Sequence, residues 1–410
     1  ERVAPLQRAA EILEARTDAY ALLMAREMGK PLREGRAEVQ KCASVCRYYA
    51  AEAAAMLADQ PRPSDAARSY VSPRPLGVVL GIMPWNFPFW QAIRFSAPTL
   101  AAGNTVLLKH APSVTGCALA LEALWHEAGV PEGGFQILLA ELDQLPAVIA
   151  DPRVAAVSLT GSSRAGRSVA AAAGAALKPC VLELGGSDPA VVLADADLEL
   201  AVEQCAVGRL INAGQSCIAT KRIIVSRPLR AAFEEALLAR LARLRVGDPR
   251  DEATELGPLA REDLRDALAR QVTQSVAAGA ACRLGGQAPS GAGWYYPVTL
   301  LTDPPPGSPA CREELFGPVA TLIEAADEED AIRLANDTAF GLGAAVYSRD
   351  VARAEAIARD RLEAGSAFVN AFVRSDPRLP FGGSKDSGWG RELGREGLLA
   401  FTSAKTVWVA

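Results

Sequence analysis

Histidine is scarce in this 410-residue chain: His110 and His126 are its only two. They stand in no His-x-x-x-His or other two-histidine spacing, so the usual zinc-hydrolase arrangements are excluded and no metal-ligand set is expected. Eight cysteines are present without one Cys-x-x-Cys pair. Scattered over so long a chain, they read as reduced thiols of a cytoplasmic protein rather than a disulfide frame. Long apolar runs are missing too. The longest uncharged one, residues 76–90, is broken by Pro84, Asn86 and Pro88, too short and irregular to span a bilayer. No basic-then-apolar leader opens the sequence, which starts at Glu1. Charge of one sign is not in excess: 43 basic against 48 acidic residues give a net charge of −5, evenly spread. Nothing there suggests a nucleic-acid stripe or a polybasic membrane patch. The Gly-x-Gly-x-x-Gly dinucleotide fingerprint is absent as well.

What is present is ordinary globular material. Half of the residues are hydrophobic and 22% are charged, ample for large cores and about two to three domains. Apolar positions 12, 15, 19 and 22 predict an opening helix, and a second is expected over 38–57. From there short apolar runs (77–83, 104–108, 135–138, 155–160, 181–184) alternate with helical stretches at 114–128 and 164–177. After Gly185-Gly186 the alternation resumes, with strands at 191–193, 223–225, 319–323, 344–347 and 366–370 and helices at 197–210, 228–244 and 350–361. The expected class is α/β: two domains built on parallel sheets with helices on both faces. The apolar, β-branched stretch 404–409 reads as a strand without a nearby partner, pairing outside its own domain.

Four segments can carry chemistry. Gly161-Ser162-Ser163-Arg164-Ala165-Gly166-Arg167-Ser168 follows a strand and opens a helix, where backbone N–H groups and the helix dipole favour phosphate. It is either the phosphate turn of a cofactor site or a plain turn; Arg167 where a P-loop has lysine argues against an NTPase. Cys217, in Asn212-Ala213-Gly214-Gln215-Ser216-Cys217, is either a presented nucleophile or an unremarkable thiol. Glu183 interrupts an apolar strand ending in Gly185-Gly186, and a carboxylate there is costly to bury. Asn86, held between Pro84 and Pro88 at the end of the first strand, is either a rigidly mounted amide donor or a helix cap.

Together these segments resemble the aldehyde dehydrogenase superfamily. The resemblance runs along Trp85-Asn86-Phe87-Pro88, Lys109, Thr160-Gly161-Ser162 with Gly166, Glu183-Leu184-Gly185-Gly186, Gly214-Gln215-Ser216-Cys217, Glu313-Glu314-Leu315-Phe316-Gly317-Pro318 and Pro380-Phe381-Gly382-Gly383, with 34 residues between Glu183 and Cys217. It implies a Rossmann-type NAD(P)-binding domain (1–66 and 77–185), a second α/β catalytic domain (186–396) and a bridging, oligomerising strand region (67–76 and 397–410). It implies that Cys217 is the nucleophile, Glu183 the base that activates water, and Asn86 an oxyanion donor. NAD or NADP would be held by Trp85, Lys109, Gly161, Ser162, Gly166, Leu184, Glu314 and Phe316. A homodimer or homotetramer is implied, starting inside the family's N-terminal region.

Where many NAD-preferring relatives carry glutamate three residues after the lysine, this chain has Pro112, so NADP is expected to be tolerated. His110 replaces a more common proline and is expected to be structural. Within the superfamily the chain looks most like the bacterial succinate-semialdehyde dehydrogenases. Arg94, eight residues after Asn86, matches an arginine that holds the substrate carboxylate there, and Ser375 matches a serine that assists; Phe381 joins them at the substrate. Another arginine of that group is replaced here by Ile211. The alternatives are an aldehyde dehydrogenase of broad aliphatic or aromatic specificity, and a cofactor-free thiol hydrolase, which would need a base that neither histidine resembles.

Overall fold

The β-branched and small apolar runs pair into two large sheets and a small one in the computed structural model, which describes residues 2–410. The first sheet has the spatial order Gly388–Trp389, Cys180–Glu183, Val154–Thr160, Val78–Met83, Thr105–His110, Phe135–Ile137. All neighbours are parallel except the outermost, Gly388–Trp389, which runs antiparallel to Cys180–Glu183. The chain starts at Val78–Met83, works outward to Phe135–Ile137, then returns to the other flank at Val154–Thr160. Crossovers therefore diverge between Val78–Met83 and Val154–Thr160, which opens a crevice at the carboxyl ends of these strands. Asn86 and Gly161 both lie on its lip.

The helix Trp90–Ala101, which follows the first strand, is buried at all twelve positions. Its polar residues Gln91, Arg94, Ser96 and Thr99 are buried with the rest, and it is not among the helices expected from the sequence. It packs on the long helix Leu32–Met56, which starts six residues before the helix expected over 38–57.

The second sheet has the order Ala281–Leu284, Thr299–Thr302, Val319–Ala325, Thr220–Ser226, Asp188–Val192, Gly343–Tyr347, Ser366–Val369, antiparallel only at Ala281–Leu284. Separate apolar clusters cover the faces of both sheets. The third sheet joins Gln60–Pro61, Arg68–Pro75 and Thr402–Val409, the last two antiparallel from Thr402 opposite Pro75 to Val409 opposite Arg68. The expected strand at 404–409 thus finds its partner more than a domain away in sequence. Gly388–Trp389 lies inside the 186–396 segment yet joins the first sheet, so the chain rejoins it before the expected boundary at 396. Among the described residues no helix is long and apolar enough to cross a membrane.

Candidate active site

Cys217 is presented by a strained stretch of backbone. The helix Leu198–Leu210 gives way to Asn212, Ala213 and Gly214, three successive residues at φ 56°, 54° and 73°. Holding a non-glycine residue there costs about 1–2 kcal/mol. The surroundings fix it. The Asn212 N–H donates to both oxygens of Glu34 at 3.0 Å, and the Asn212 amide donates to the carbonyl of Asn86 at 2.7 Å. At Gly214 a Cβ would fall 2.2 Å from the Gly317 carbonyl oxygen, so only glycine fits. Buried Arg209 donates to the carbonyls of Leu315, at 2.8 Å, and Gly317.

Asn86 is fastened to this loop: its Nδ2 donates to the Gln215 carbonyl at 2.9 Å. Its own carbonyl also accepts from Lys30 Nζ at 3.0 Å. Lys30 is ion-paired with Glu38, both fully buried. Glu38 in turn accepts from the N–H groups of Phe89 and Trp90 at 2.9 Å each, at the start of the helix Trp90–Ala101, where a carboxylate meets orphan donors and the helix dipole. From the other side buried His110 donates from Nε2 to the Pro88 carbonyl at 2.9 Å and accepts the Ala111 N–H on Nδ1 at 2.9 Å. Burial lowers its pKa, keeping the ring neutral. His110 is structural, a clamp on the turn that carries Asn86.

The thiol of Cys217 is pushed up to about 12 by burial, with the Lys221 and Arg94 charges pulling the other way. Lys221 donates to the carbonyls of Ser216 and Cys217 at 2.7 Å each and reaches Glu314 at 3.3 Å. Glu183 ends its strand in the interior, 2% exposed. Neither of its oxygens has a hydrogen-bond partner among the described residues. Burial, and then the Glu392 charge, hold its carboxyl well above the ordinary range. The carboxyl lies against Gly382 rather than on the wall of the substrate-sized cavity.

That cavity, about 310 Å³, is walled by Cys217, Phe87, Trp90, Arg94, Ser375 and Phe381 among others. The structure thus brings the expected nucleophile and all three expected substrate residues around one space. Arg94 is not free, however. Its Nε is paired with Glu392, its Nη2 donates to Thr160 Oγ1 at 3.2 Å, and its guanidinium sits 4.8 Å over the Phe381 ring.

The residues expected to hold a dinucleotide line the crevice from two sides. Ser162 caps the helix Ser163–Ala175, accepting from the Ala165 N–H at 3.3 Å. A Cβ on Gly166 would come within 2.5 Å of Leu184, so glycine lets this helix close on the strand end. Lys109, 5% exposed, ends Thr105–His110, and burial lowers its pKa. Opposite, Glu314 accepts from the Gly186 N–H at 3.1 Å, and the Trp85 and Phe316 rings meet edge-on at 5.8 Å. A phosphate-favouring helix start, a lysine at a strand end and an acidic residue beside two glycines fit a nicotinamide dinucleotide. Lys30, Glu38, Asn212, Lys221 and Glu392 were not anticipated. Charged residues within helical or apolar segments read as surface, and only the fold shows them buried under the site.

The Aldehyde dehydrogenase family model matches residues 1–407. A probable succinate-semialdehyde dehydrogenase [NADP(+)] of Synechocystis is 51% identical over 405 residues, covering 99% of this chain and 89% of that protein. The succinate semialdehyde dehydrogenase [NAD(P)+] Sad of Escherichia coli is 49% identical over 407 residues, covering 99% and 88%. Among solved structures, a succinic semialdehyde dehydrogenase of Streptococcus pyogenes in complex with NADP+ is 38% identical with a TM-score of 0.97, covering 100% of this chain and 90% of the other.

Proposed function

The chain belongs to the aldehyde dehydrogenase family, and from that premise we propose that it oxidises succinate semialdehyde to succinate with NAD or NADP, using Cys217 as nucleophile. The observation that carries this reading is a single cavity shared by Cys217, Arg94 and Ser375, a thiol beside groups that suit a carboxylate. The Cys217 thiol loses its proton to solvent water in the cavity and the thiolate attacks the aldehyde carbon, forming a thiohemiacetal. The Asn86 amide and the Cys217 N–H hold the oxygen as it gains charge, fixed donors for a developing oxyanion. Nicotinamide, when bound, supplies the hydride acceptor. With hydride lost, the substrate is a thioester on Cys217. Glu183 then takes a proton from the water that attacks the thioester carbon, releasing the acid and the thiolate. Nothing ties its carboxyl oxygens down, so rotation toward the thioester breaks no hydrogen bond.

Lys109 would reach the adenosine ribose and Glu314 the nicotinamide ribose. Trp85, Gly161 and Ser162 would face the pyrophosphate, Gly166 would seat the helix behind it, and Leu184 and Phe316 would pack near the nicotinamide. The protein would work in the cytoplasm as a homodimer or homotetramer. The test is reduced-nicotinamide absorbance with a panel of aldehydes. Succinate semialdehyde should give the highest kcat/KM; an aliphatic aldehyde that outperforms it refutes the substrate assignment. A second reading, broad aliphatic specificity, draws on the Arg94–Glu392 pair, which already engages the expected carboxylate ligand.

A further inference from the structure

We infer that Lys41, with Ser375, binds the carboxylate of the aldehyde substrate, an assignment that rests on the carboxylated substrate proposed above. Lys41 lies on the helix Leu32–Met56, on the same face as Glu34 and Glu38, and all three line the cavity of Cys217. Its Nζ stands 2.6 Å from Ser375 Oγ and 4.3 Å from the centroid of the Trp90 ring.

The pairing of the cavity's cations singles it out. Arg94 is committed to Glu392 and Arg240 to Glu203, whereas Arg33 and Arg374 are exposed. Lys41 is half-buried and, among the described residues, pairs with no carboxylate. The nearest acid on its own helix, Glu38, is spent on Lys30 and on the Phe89 and Trp90 N–H groups. In contact with the Ser375 hydroxyl and the Trp90 ring, the ammonium feels Glu38 and Asp376 only from beyond ion-pair reach, Asp376 being bound to Arg378, so no carboxylate is seated on it. Burial, with Arg94 adding to it, brings its pKa down to about 8. A carboxylate arriving in the cavity supplies the missing partner, in a charge-assisted bond that Ser375 can share through its O–H.

The experiment compares the purified enzyme with Lys41→Met and Lys41→Arg variants, using NADP and two four-carbon aldehydes, succinate semialdehyde and butanal. Lys41→Met should raise KM for succinate semialdehyde roughly ten- to a hundredfold, the loss of one charge-assisted bond. Its kcat should stay within about threefold, and its KM for butanal should not move. Lys41→Arg should recover most of the affinity, and competitive inhibition by succinate should weaken in Lys41→Met in the same proportion. A Lys41→Met enzyme that keeps the parent's ratio of kcat/KM for the two aldehydes, whether both fall or neither does, overturns the assignment. A parent enzyme that fails to prefer succinate semialdehyde brings down the substrate reading itself, a result seen before any variant is made. Should Lys41→Met not fold, Lys41→Gln carries the same comparison.

Discussion

At the scale of single residues, the proposed nucleophile and the proposed base are both buried groups whose ionisation is disfavoured. Burial pushes the Cys217 thiol up to about 12 and holds the Glu183 carboxyl well above the ordinary carboxylate range. Each works only after losing its proton, so raised values move the acid limb of the rate profile toward higher pH. We expect kcat to go on climbing as pH rises through neutrality and above it. Lys41 runs the other way. Burial first and the Arg94 charge second bring its pKa down to about 8, against the opposite pull of Cys42, Glu38 and Asp376; above that it loses its charge, and KM for a carboxylated aldehyde should rise while KM for butanal stays flat. Steady-state kinetics across this range check both, and a KM that follows pH identically for the two aldehydes contradicts the second. Glu183→Gln separates the steps. Thioester formation should survive as a burst of reduced nicotinamide, while turnover falls roughly 10²–10⁴-fold and mass spectrometry finds the acyl group on Cys217. Full turnover in that variant would remove Glu183 as the base.

At the scale of elements, the turn bearing Asn86 is held by an ion pair. Lys30 and Glu38 are buried together, and Glu38 also receives the first N–H groups of the helix Trp90–Ala101. Removing one member strands the other charge, at a cost of about 3–5 kcal/mol. Glu38→Ala should therefore lower Tm by several degrees and depress kcat, since the Asn86 carbonyl leans on the same lysine. The double variant Lys30→Met with Glu38→Leu should regain much of the stability without the activity. Differential scanning calorimetry with initial rates checks this, and a fully active double variant means the pair does not position Asn86. This layer was invisible in the sequence. Strands such as Val154–Thr160 announce themselves by β-branched runs, and Asp197 and Asp350 mark helix starts. Trp90–Ala101 is buried all round, its polar residues Gln91, Arg94, Ser96 and Thr99 included. Glu262–Ala277 buries only Leu268, Val272 and Ser275, too thin an apolar face to read. Glu183 stands out as a carboxylate in an apolar strand and Cys217 is singled out only by the family resemblance, whereas Lys30, Glu38, Lys41 and Glu392 look like ordinary charges on helices or loops.

At the scale of the whole molecule, the three-stranded sheet is the feature that a single chain leaves unfinished. Thr402–Val409 forms its outer edge, eight residues long, with Trp408 54% and Val409 39% exposed. A long, apolar edge strand with free N–H and C=O groups invites pairing and is a liability in a lone monomer. A second copy is the economical cover: it closes the edge and buries Trp408 without involving the Cys217 cavity, to which these residues do not contribute. The purified protein should therefore behave as a dimer or tetramer by light scattering. Deleting residues 402–410 should yield monomers or aggregates, with the activity of any soluble fraction falling less than its stability. If the parent is monomeric at micromolar concentration, the edge has some other role and the assembly proposed for this chain is wrong. If the truncated protein keeps the parent's size, the interface lies elsewhere on the surface.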